Sequence, residues 1–575
     1  MTITTGELLF HVTPVLIKNG VKNYIHLLCT LGQRTFRERA DEYFYDQAFH
    51  LAKSVSELIT HHRAEEVQDL TNMTTPMPPW GMTERCMVPM SSCEAAARCL
   101  IQYFGAENMV QIVGGHKWWQ MRGLEGVYCE WIAQHADYSS LRARSNKRGT
   151  IAAMVSQELS SANMSATQRH ERAGAPETTE ETDRLSRVML YIHGGGYYFG
   201  SINTHRYQIL RMARKFGGFA LAVNYRKAPQ FPFPCAVQDV LAAYLYLIEP
   251  PPGADHTPID PARIVLAGDS AGGGLTLALL QLLRDLGRPL PAGAVLISPW
   301  SDLTHSFPSV LQNTKTDIIP PYSFIHKPSA LWPLPQDTEA PKKRLFGRQR
   351  RQASADPATL PWFQRPISVT LDSGRVYTVP RQIQLYATNA QLLHPLVSPV
   401  LSGSLGGLPP LLVIVGNDEV LRDEIIYLAH KAAHPSQFVL RDELLDLFPQ
   451  TRETQTRFAA HPTKVHLQVY DAQCHVFTML AKTPPARNAF RAIASFVKLV
   501  TGAPLDDAYN AQHGARMDEN MYSGQVPLRR RPFIDGMIRE RIGFFGEIRP
   551  LEPPAQLAAI AAWCERTGVR LVSDE

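Results

Sequence analysis

Gly268-Asp269-Ser270-Ala271-Gly272, with the apolar run 264–267 before it, is the stretch that decides the fold. The run predicts a buried strand, and the segment 270–287 after it predicts a helix. A sharp turn between the two needs small residues on both sides of the serine, because larger side chains would collide there. The turn would raise the serine hydroxyl above the sheet, near the N–H groups of the first helical turn. Ser270 is therefore a candidate nucleophile.

Outside this turn, short apolar runs alternate with helical segments, which predicts a mostly parallel sheet with helices on both faces. The predicted strands are 188–192, 219–223, 264–267, 294–297, 411–415 and 465–469. The predicted helices lie near 204–216, 235–248, 270–287, 420–432 and 486–501.

A second motif, His193-Gly194-Gly195-Gly196, directly follows the first of these strands. A run of glycines often forms a flexible loop, but glycine also lets backbone N–H groups approach a substrate closely. Acyl transfer needs such donors aimed at the tetrahedral oxyanion. The position of the run after a strand favours this second interpretation.

Two later strands end in residues that complete this chemistry. The strand 411–415 is followed by Asp418 and Glu419, and in an α/β sheet functional groups collect at the carboxyl ends of strands. The strand 465–469 is followed by His475, which is a candidate general base. Cys474 beside it would need a base of its own to act as a nucleophile, so a thiol mechanism is disfavoured.

In these motifs the chain resembles the hormone-sensitive-lipase-like group of the α/β-hydrolase superfamily, which contains esterases and lipases. The matching residues cover roughly 187–303 and 391–500. They are His193–Gly200 (HGGGYYFG), Asn224–Pro234 (NYRKAPQFPFP), Gly268–Gly273 (GDSAGG), Ser298–Asp302 (SPWSD), Val420–Glu424 (VLRDE) and the segment from Asp471 to Phe477.

The resemblance implies a triad in the chain order serine, acid, histidine, which here is Ser270, Glu419 and His475. Glu419 is preferred because the alignment on Leu421-Arg422-Asp423 puts the family's acid there, and Asp418 remains the alternative. The resemblance also implies oxyanion donors at Gly195, Gly196 and Ala271.

These implied residues predict a serine carboxylic-ester hydrolase that acts through an acyl-enzyme on an apolar or acetylated ester. A deacetylase or acyltransferase on the same triad is the alternative, and a non-catalytic ligand-binding relative is a weaker one. Retention of a serine, an acid and a histidine argues against the last of these. Asp269, Asp302 and His193 are interpreted as structural. No cofactor or metal is predicted.

The rest of the chain is divided by composition. Residues 1–155 are predicted to form a mainly helical cap, with helices at 34–62, 92–104 and 125–135, and 156–186 a linker. Residues 187–303 and 391–502 are predicted to form the two parts of the core, the second with a loop insertion at 434–463. The insertion 304–390, which is rich in proline and basic residues, is predicted to be a lid, and 503–575 a C-terminal extension.

Composition sets further limits. The 575 residues are 45% hydrophobic and 19% charged, with a net charge of +5, which does not indicate a nucleic-acid partner. None of the eight cysteines forms a C-x-x-C pair, so they predict free thiols in a reducing compartment.

The start of the chain lacks the pattern of a signal peptide, and no apolar run reaches about 18 residues. We therefore expect a cytoplasmic protein with a small-molecule ester as its substrate. Contact of the 34–62 helix with an intracellular membrane or lipid droplet is left open, as is the oligomeric state.

Overall fold

The structure is a computed structural model. It describes residues 36–144 except 107 and 116, 150–162, 187–321, 367–370, 376–379, 383–502 except 481 and 482, and 537–551, together with a few residues before 19.

A ten-stranded sheet forms the centre of the described part, in the order β1-β2-β4-β3-β5-β6-β9-β10-β11-β12. The seven strands from β4 to β11 along this order run parallel, while β1, β2 and β12 are antiparallel to their neighbours. β7 and β8 form a separate hairpin. The strands are β1 (Gly81–Pro89), β2 (Gly126–Gln134), β3 (Val188–Ile192), β4 (Phe219–Val223), β5 (Ile264–Asp269), β6 (Gly293–Ile297), β7 (Ile367–Thr370), β8 (Val376–Val379), β9 (Leu411–Gly416), β10 (Val465–Tyr470), β11 (Met537–Ile542) and β12 (Ile548–Pro550).

Helices cover both faces of this sheet. They are α1 (Phe36–Ile59), α2 (Ala64–Thr71), α3 (Met90–Phe104), α4 (Met109–Val113), α5 (His135–Arg144), α6 (Ile151–Ala162), α7 (Ile202–Phe216), α8 (Cys235–Ile248), α9 (Ala271–Asp285), α10 (Ser309–Gln312), α11 (Arg422–Ala433), α12 (Asp442–Leu445), α13 (Pro449–Phe458) and α14 (Pro484–Val500). Single turns of 3₁₀ helix lie at Pro261–Arg263, Asn389–Gln391, Pro399–Leu401 and Phe477–Met479.

Burial on both faces explains why the central strands are almost continuously apolar. All five residues of β3, β4 and β6 are buried, and alternate side chains enter two separate cores. Leu190 and Leu266 pack with α3, α8, α9 and α11 on one face, whereas Met189 and Val265 pack with α7 and α14 on the other. This is the pattern expected of a parallel sheet covered by helices. The predicted α/β-hydrolase class, a mostly parallel sheet flanked by helices, is confirmed.

The N-terminal region departs from the prediction of a mainly helical cap at 1–155. Residues 81–89 and 126–134 are β1 and β2, which pair along nine residues and extend the main sheet beyond β4. The predicted helix at 125–135 is therefore wrong. The reason is that the inward side chains of β2 complete the core beside β4, so tertiary packing rather than local periodicity decides its conformation.

The predicted helix at 34–62 is present as α1, but the face it buries differs from the apolar stripe read from the sequence. Tyr45, Ala48 and Phe49 pack against the core, whereas Phe44 and Leu51 are exposed. Among the described residues, no helix combines the length and apolar character that crossing a membrane requires.

The C-terminal region also contributes to the sheet, beyond the predicted core end at 502. β11 pairs in parallel with β10, and β12 returns antiparallel to it. Glu540 of β11 accepts hydrogen bonds at 2.8 Å from both His466 and Gln468 of β10, and all three side chains are buried. Part of the predicted extension is thus built into the core.

The remaining boundaries are met in part. α6 covers the first residues of the predicted linker 156–186, and most of that linker lies outside the described residues. The insertion 434–463 holds two short helices, α12 and α13. Of the predicted lid 304–390, the structure describes the first residues with α10, the β7–β8 hairpin and the residues from 383 onward. Its basic segment, 342–351, lies outside the described part.

Candidate active site

Ser270 sits at the junction of β5 and α9 with φ 51° and ψ −122°, a conformation that L-residues rarely adopt. Its N–H donates to the carbonyl oxygen of Ile297 at 2.9 Å, and its carbonyl oxygen accepts from the N–H of Trp300 at 2.9 Å. The neighbouring strand therefore holds the strained turn on both sides and keeps the hydroxyl in one position.

The glycines of the motif are required by close backbone contacts. A Cβ atom on Gly268 would overlap the carbonyl oxygen of Gly272. A Cβ atom on Gly272 would overlap the carbonyl oxygen of Ile192, at the end of β3. The G-x-S-x-G spacing thus reflects how tightly the turn and the β3 loop are packed, as the sequence predicted.

Three of the residues named from the sequence form one hydrogen-bonded line. The Nε2 atom of His475 lies 2.9 Å from the Oγ atom of Ser270. The Nδ1 atom of the same ring lies 3.1 Å from the Oε2 atom of Glu419. Because a carboxylate only accepts, Nδ1 carries the proton and Nε2 is free to accept from the serine hydroxyl. This arrangement can take a proton from Ser270.

Asp418 takes no part in this line. Its carboxylate accepts a hydrogen bond from the side chain of Asn417 at 3.2 Å, and it is partly exposed. Glu419, in contrast, is fully buried and also accepts from the N–H of Gly416 at 3.3 Å. Consecutive residues in the loop after β9 point in different directions, so only Glu419 reaches the histidine.

Charge and burial set the pKa values of the pair. Burial disfavours the imidazolium of His475, but the hydrogen bond to Glu419 and its negative charge outweigh burial and raise the pKa of His475. Burial raises the pKa of Glu419, and the contact with His475 partly offsets it. The carboxylate thus favours the protonated histidine that forms during proton transfer.

The glycine loop after β3 lies beside the serine. Gly195 and Gly196 have φ values of 114° and 58°, which favour glycine, and both line the same cavity as Ser270. A Cβ atom on Gly195 would overlap the carbonyl oxygen of Phe199. Within the described part of the chain, the N–H groups of Gly195 and Gly196 donate to no protein acceptor. They are therefore available to a substrate oxygen. Ala271 is the first residue of α9, directly after the serine.

A buried carboxylate anchors this loop. Asp269 accepts from the Tyr191 hydroxyl at 2.6 Å and from the N–H of Gly194 at 3.2 Å, and it pairs with the Nε2 atom of His205 at 3.1 Å. The structural role that the sequence suggested for Asp269 fits these contacts. The sequence analysis assigned no role to His205.

His193 also contributes to the shape of the loop. Its ring stacks on Tyr225, with centroids 4.4 Å apart, and its Nδ1 atom contacts the carbonyl oxygen of Gly194 at 2.7 Å. The Tyr225 hydroxyl donates to the carbonyl oxygen of His193 at 3.0 Å. Burial lowers the pKa of His193, so the ring is neutral and fits a structural role.

Sequence reasoning missed two residues behind the triad. Ser298 accepts from the N–H of Val476 at 3.1 Å, and its hydroxyl lowers the pKa of Glu419, partly offsetting the effect of burial. Asp317 accepts from the N–H of His475 at 2.8 Å. The Ser298-Pro-Trp motif was a signal for the first of them. Asp317 lies in a polar segment without periodicity, so no pattern marked it.

A cavity of about 300 Å³ opens onto Ser270 and His475. Its walls are mainly apolar. They include Ile59, Tyr198, Phe199, Trp300, Ile318, Ile319, Pro320, Leu385, Val476 and Met479. The end of α1 and both described ends of the 304–390 insertion therefore contribute to the substrate side of the site.

Comparison with known proteins agrees with this architecture. Residues 189–343 and 376–444 match the family described as the alpha/beta hydrolase fold. An acetyl-hydrolase of Streptomyces hygroscopicus is 35% identical over 264 residues, which are 46% of this chain and 67% of that protein. An ethyl acetate hydrolase of Pseudomonas putida is 39% identical over 124 residues, 21% of this chain and 38% of that protein.

Among solved structures, an esterase from the bacterial hormone-sensitive lipase family is 23% identical with a TM-score of 0.41. The alignment covers 86% of this chain and 98% of that one. Taken with the HGGG and GDSAG motifs, the sequence matches identify this chain as a member of the α/β-hydrolase family.

Proposed function

We propose that this chain is a serine carboxylic-ester hydrolase. The observation that carries the proposal is the continuous line from Ser270 through His475 to Glu419, which opens into an apolar cavity. A nucleophile, a base within hydrogen-bond reach and a group that orients the base together define this type of site.

The reaction begins when Ser270 Oγ attacks the ester carbonyl carbon and its proton passes to Nε2 of His475. The tetrahedral oxyanion accepts hydrogen bonds from the N–H groups of Gly195, Gly196 and Ala271, the residues that we assign to the oxyanion hole. The intermediate then collapses, the alcohol leaves with the proton from His475, and an acyl-serine remains.

Water completes the turnover. It attacks the acyl-serine while His475 takes its proton, and the second tetrahedral intermediate expels Ser270. The serine regains the proton from His475, and the carboxylic acid is released. Glu419 keeps its charge throughout and stabilises the imidazolium in both halves of the reaction.

We infer that the substrate is an ester with a short acyl chain, such as an acetyl ester. The cavity volume of about 300 Å³ is at the small end of ligand pockets, and its aromatic walls suit apolar groups. The relatives named acetyl-hydrolase and ethyl acetate hydrolase support the same class. The 304–390 insertion, which contributes Ile318 and Leu385 to the walls, is proposed as the lid.

The test is hydrolysis of p-nitrophenyl esters of graded chain length. We expect the highest kcat/KM for acetyl to hexanoyl esters, a steep fall for longer chains, and no turnover by Ser270→Ala. Activity that rises toward palmitoyl esters would contradict the short-chain proposal, and unchanged activity in Ser270→Ala would contradict the mechanism. The expected cytoplasmic location and membrane contact stay predictions, which fractionation of the native protein would test.

A further inference from the structure

A second buried carboxylate, Asp317, lies behind the catalytic histidine. It is fully buried in the segment after α10. Its Oδ1 atom accepts from the N–H of His475 at 2.8 Å and from its neighbour Ile318 at 2.7 Å. Its Oδ2 atom accepts from the N–H of Val420 at 2.8 Å. Because Val420 directly follows Glu419, one side chain ties the loop of the base to the loop of the acid.

The same segment is anchored to α1 from the outside. The ammonium group of Lys53 donates to the carbonyl oxygens of Thr314, Lys315 and Asp317 at 3.1, 2.9 and 2.9 Å. A second contact from α1 reaches the histidine loop itself, where the N–H of Cys474 donates to the Tyr45 hydroxyl at 3.1 Å. α1 therefore contacts both the 314–317 segment and the loop that carries His475.

We propose that Asp317 is a positioning residue that holds the His475 loop in register with the Glu419 loop, and that Lys53 of α1 braces it. The inference rests on the proposed function only in taking His475 as the base. Hydrogen bonds connect α1 to the 314–317 segment, and the Asp317 carboxylate connects that segment to the backbone N–H groups of His475 and Val420. Displacing α1 would release these hydrogen bonds and misplace the imidazole without any change in the triad residues.

The geometry has an electrostatic consequence. The ionisable groups described around the Asp317 carboxylate include Tyr45, Glu419, Cys474 and His475. The ammonium group of Lys53 lies 2.9 Å from the carbonyl oxygen of the same residue. The charges of Glu419, Asp317 and Asp269 all raise the pKa of His475. Removing the charge of Asp317 should therefore lower the pKa of His475, which a purely structural loop anchor would not do.

The experiment compares wild type with Asp317→Asn. The amide side chain would retain the size of the carboxylate but lose the charge and one acceptor. We expect kcat to fall about 10²-fold, the effect typical of a small misplacement of a catalytic group, with KM held within about twofold. The rising limb of kcat/KM against pH should move to lower pH. Reaction of Ser270 with a fluorophosphonate probe should slow in proportion, because that reaction also needs the activated serine.

The matched control is Asp302→Asn. Asp302 is equally buried and accepts from the backbone N–H groups of Thr304 and Ser306, and among the described residues no hydrogen bond joins its carboxylate to the Glu419 loop or the His475 loop. Its replacement should lower the melting temperature but leave the rising limb of kcat/KM against pH where it is in wild type. If Asp317→Asn behaved in the same way, or lost no kcat, Asp317 would be an ordinary loop anchor and the inference would fail.

Lys53→Met keeps the proposal testable if Asp317→Asn does not fold. We expect a smaller loss of kcat and of the probe reaction, about 10-fold, with KM unchanged. The exposed Lys464→Met is its control and should match wild type. If Lys53→Met had wild-type rates, Lys53 would not stabilise the Asp317 segment and that part of the proposal would be wrong. A wild-type protein that reacts with the probe but hydrolyses no ester would contradict the proposed function alone, since the probe still reports on the positioning of His475.

Discussion

The Nε2 atom of His475 lies 2.9 Å from the Oγ atom of Ser270, on the opposite side of the ring from Glu419. The loops after β5, β9 and β10 meet here at one edge of the sheet, and each contributes one of the three side chains. The site therefore depends on the relative positions of three strands that are distant in sequence.

Ser270 and His475 should behave as one unit. We expect Ser270→Ala and His475→Ala each to lower kcat by about 10⁶-fold, because neither group activates the ester alone. The double variant should be little worse than either single variant. Steady-state hydrolysis of a p-nitrophenyl ester measures this. Losses that multiply in the double variant would mean that the two residues act independently.

Glu419 and Asp418 offer a matched pair of isosteric changes. Glu419→Gln should lower kcat by up to about 10⁴-fold, because an amide lets the histidine adopt the wrong tautomer. Asp418→Asn should remain within about twofold of wild type, since Asn417 is the one hydrogen-bond donor to its carboxylate within the described part of the chain. Measurement of kcat for both variants decides between the two acids. A large loss in Asp418→Asn would transfer the orienting role to it.

The pH dependence follows from the pKa of His475. Only the neutral imidazole accepts the serine proton, so kcat/KM should rise with pH through the pKa of His475 in the free enzyme. Because Glu419, Asp317 and Asp269 raise that pKa despite burial, the midpoint should lie above the ordinary histidine value of about 6.5. A profile measured with an uncharged ester from pH 5 to 9 tests this. A midpoint below about 6 would contradict it.

Lys431 provides a stability prediction remote from the chemistry. It is fully buried in α11, its ammonium group donates to the carbonyl oxygen of Val400 at 3.0 Å, and burial lowers its pKa from 10.5 to about 7. Between these values the unfolded chain binds a proton that the folded protein does not, so this residue makes stability increase with pH.

Lys431→Met should therefore raise the melting temperature by a few degrees near pH 7, with a smaller gain near pH 10. Thermal unfolding at both pH values measures the difference. Lys464→Met is again the control. A lower melting temperature at pH 7 would show that the hydrogen bond to Val400 outweighs the cost of burying the amine.

The central strands and the triad positions could be predicted for a common physical reason. Strands buried on both faces are continuously apolar, and the carboxyl ends of parallel strands share one edge of the sheet. A polar residue in the loop after such a run, such as His475 after β10, is therefore marked by the sequence itself. The preference for Glu419 over Asp418 came instead from the resemblance to the family. The small residues around Ser270 carry the same information, because the turn excludes larger ones.

β1, β2 and Asp317 could not be predicted in this way. β1 carries Thr83, Glu84 and Arg85 in succession, so its alternation is hidden, and in β2 Val127 and Trp131 lie at a helical spacing. β2 pairs with β4, which lies far away in the sequence, and β1 pairs in turn with β2. Asp317 bonds to backbone groups more than 100 residues distant, and no local pattern encodes such a contact.

The inclusion of β1 and β2 in the main sheet has a consequence for engineering specificity. If residues 1–155 were an independent cap, they could be exchanged for those of a relative to alter substrate choice. Here a junction at 155 would separate β2 from β4, whose pairing runs from Cys129 with Val223 to Ile132 with Ala220. A chimera joined at that point would pair strands that come from two different parent proteins. Exchanges confined to α1 and α2, before β1 begins, would change the cavity wall but leave all strands of the sheet from one protein.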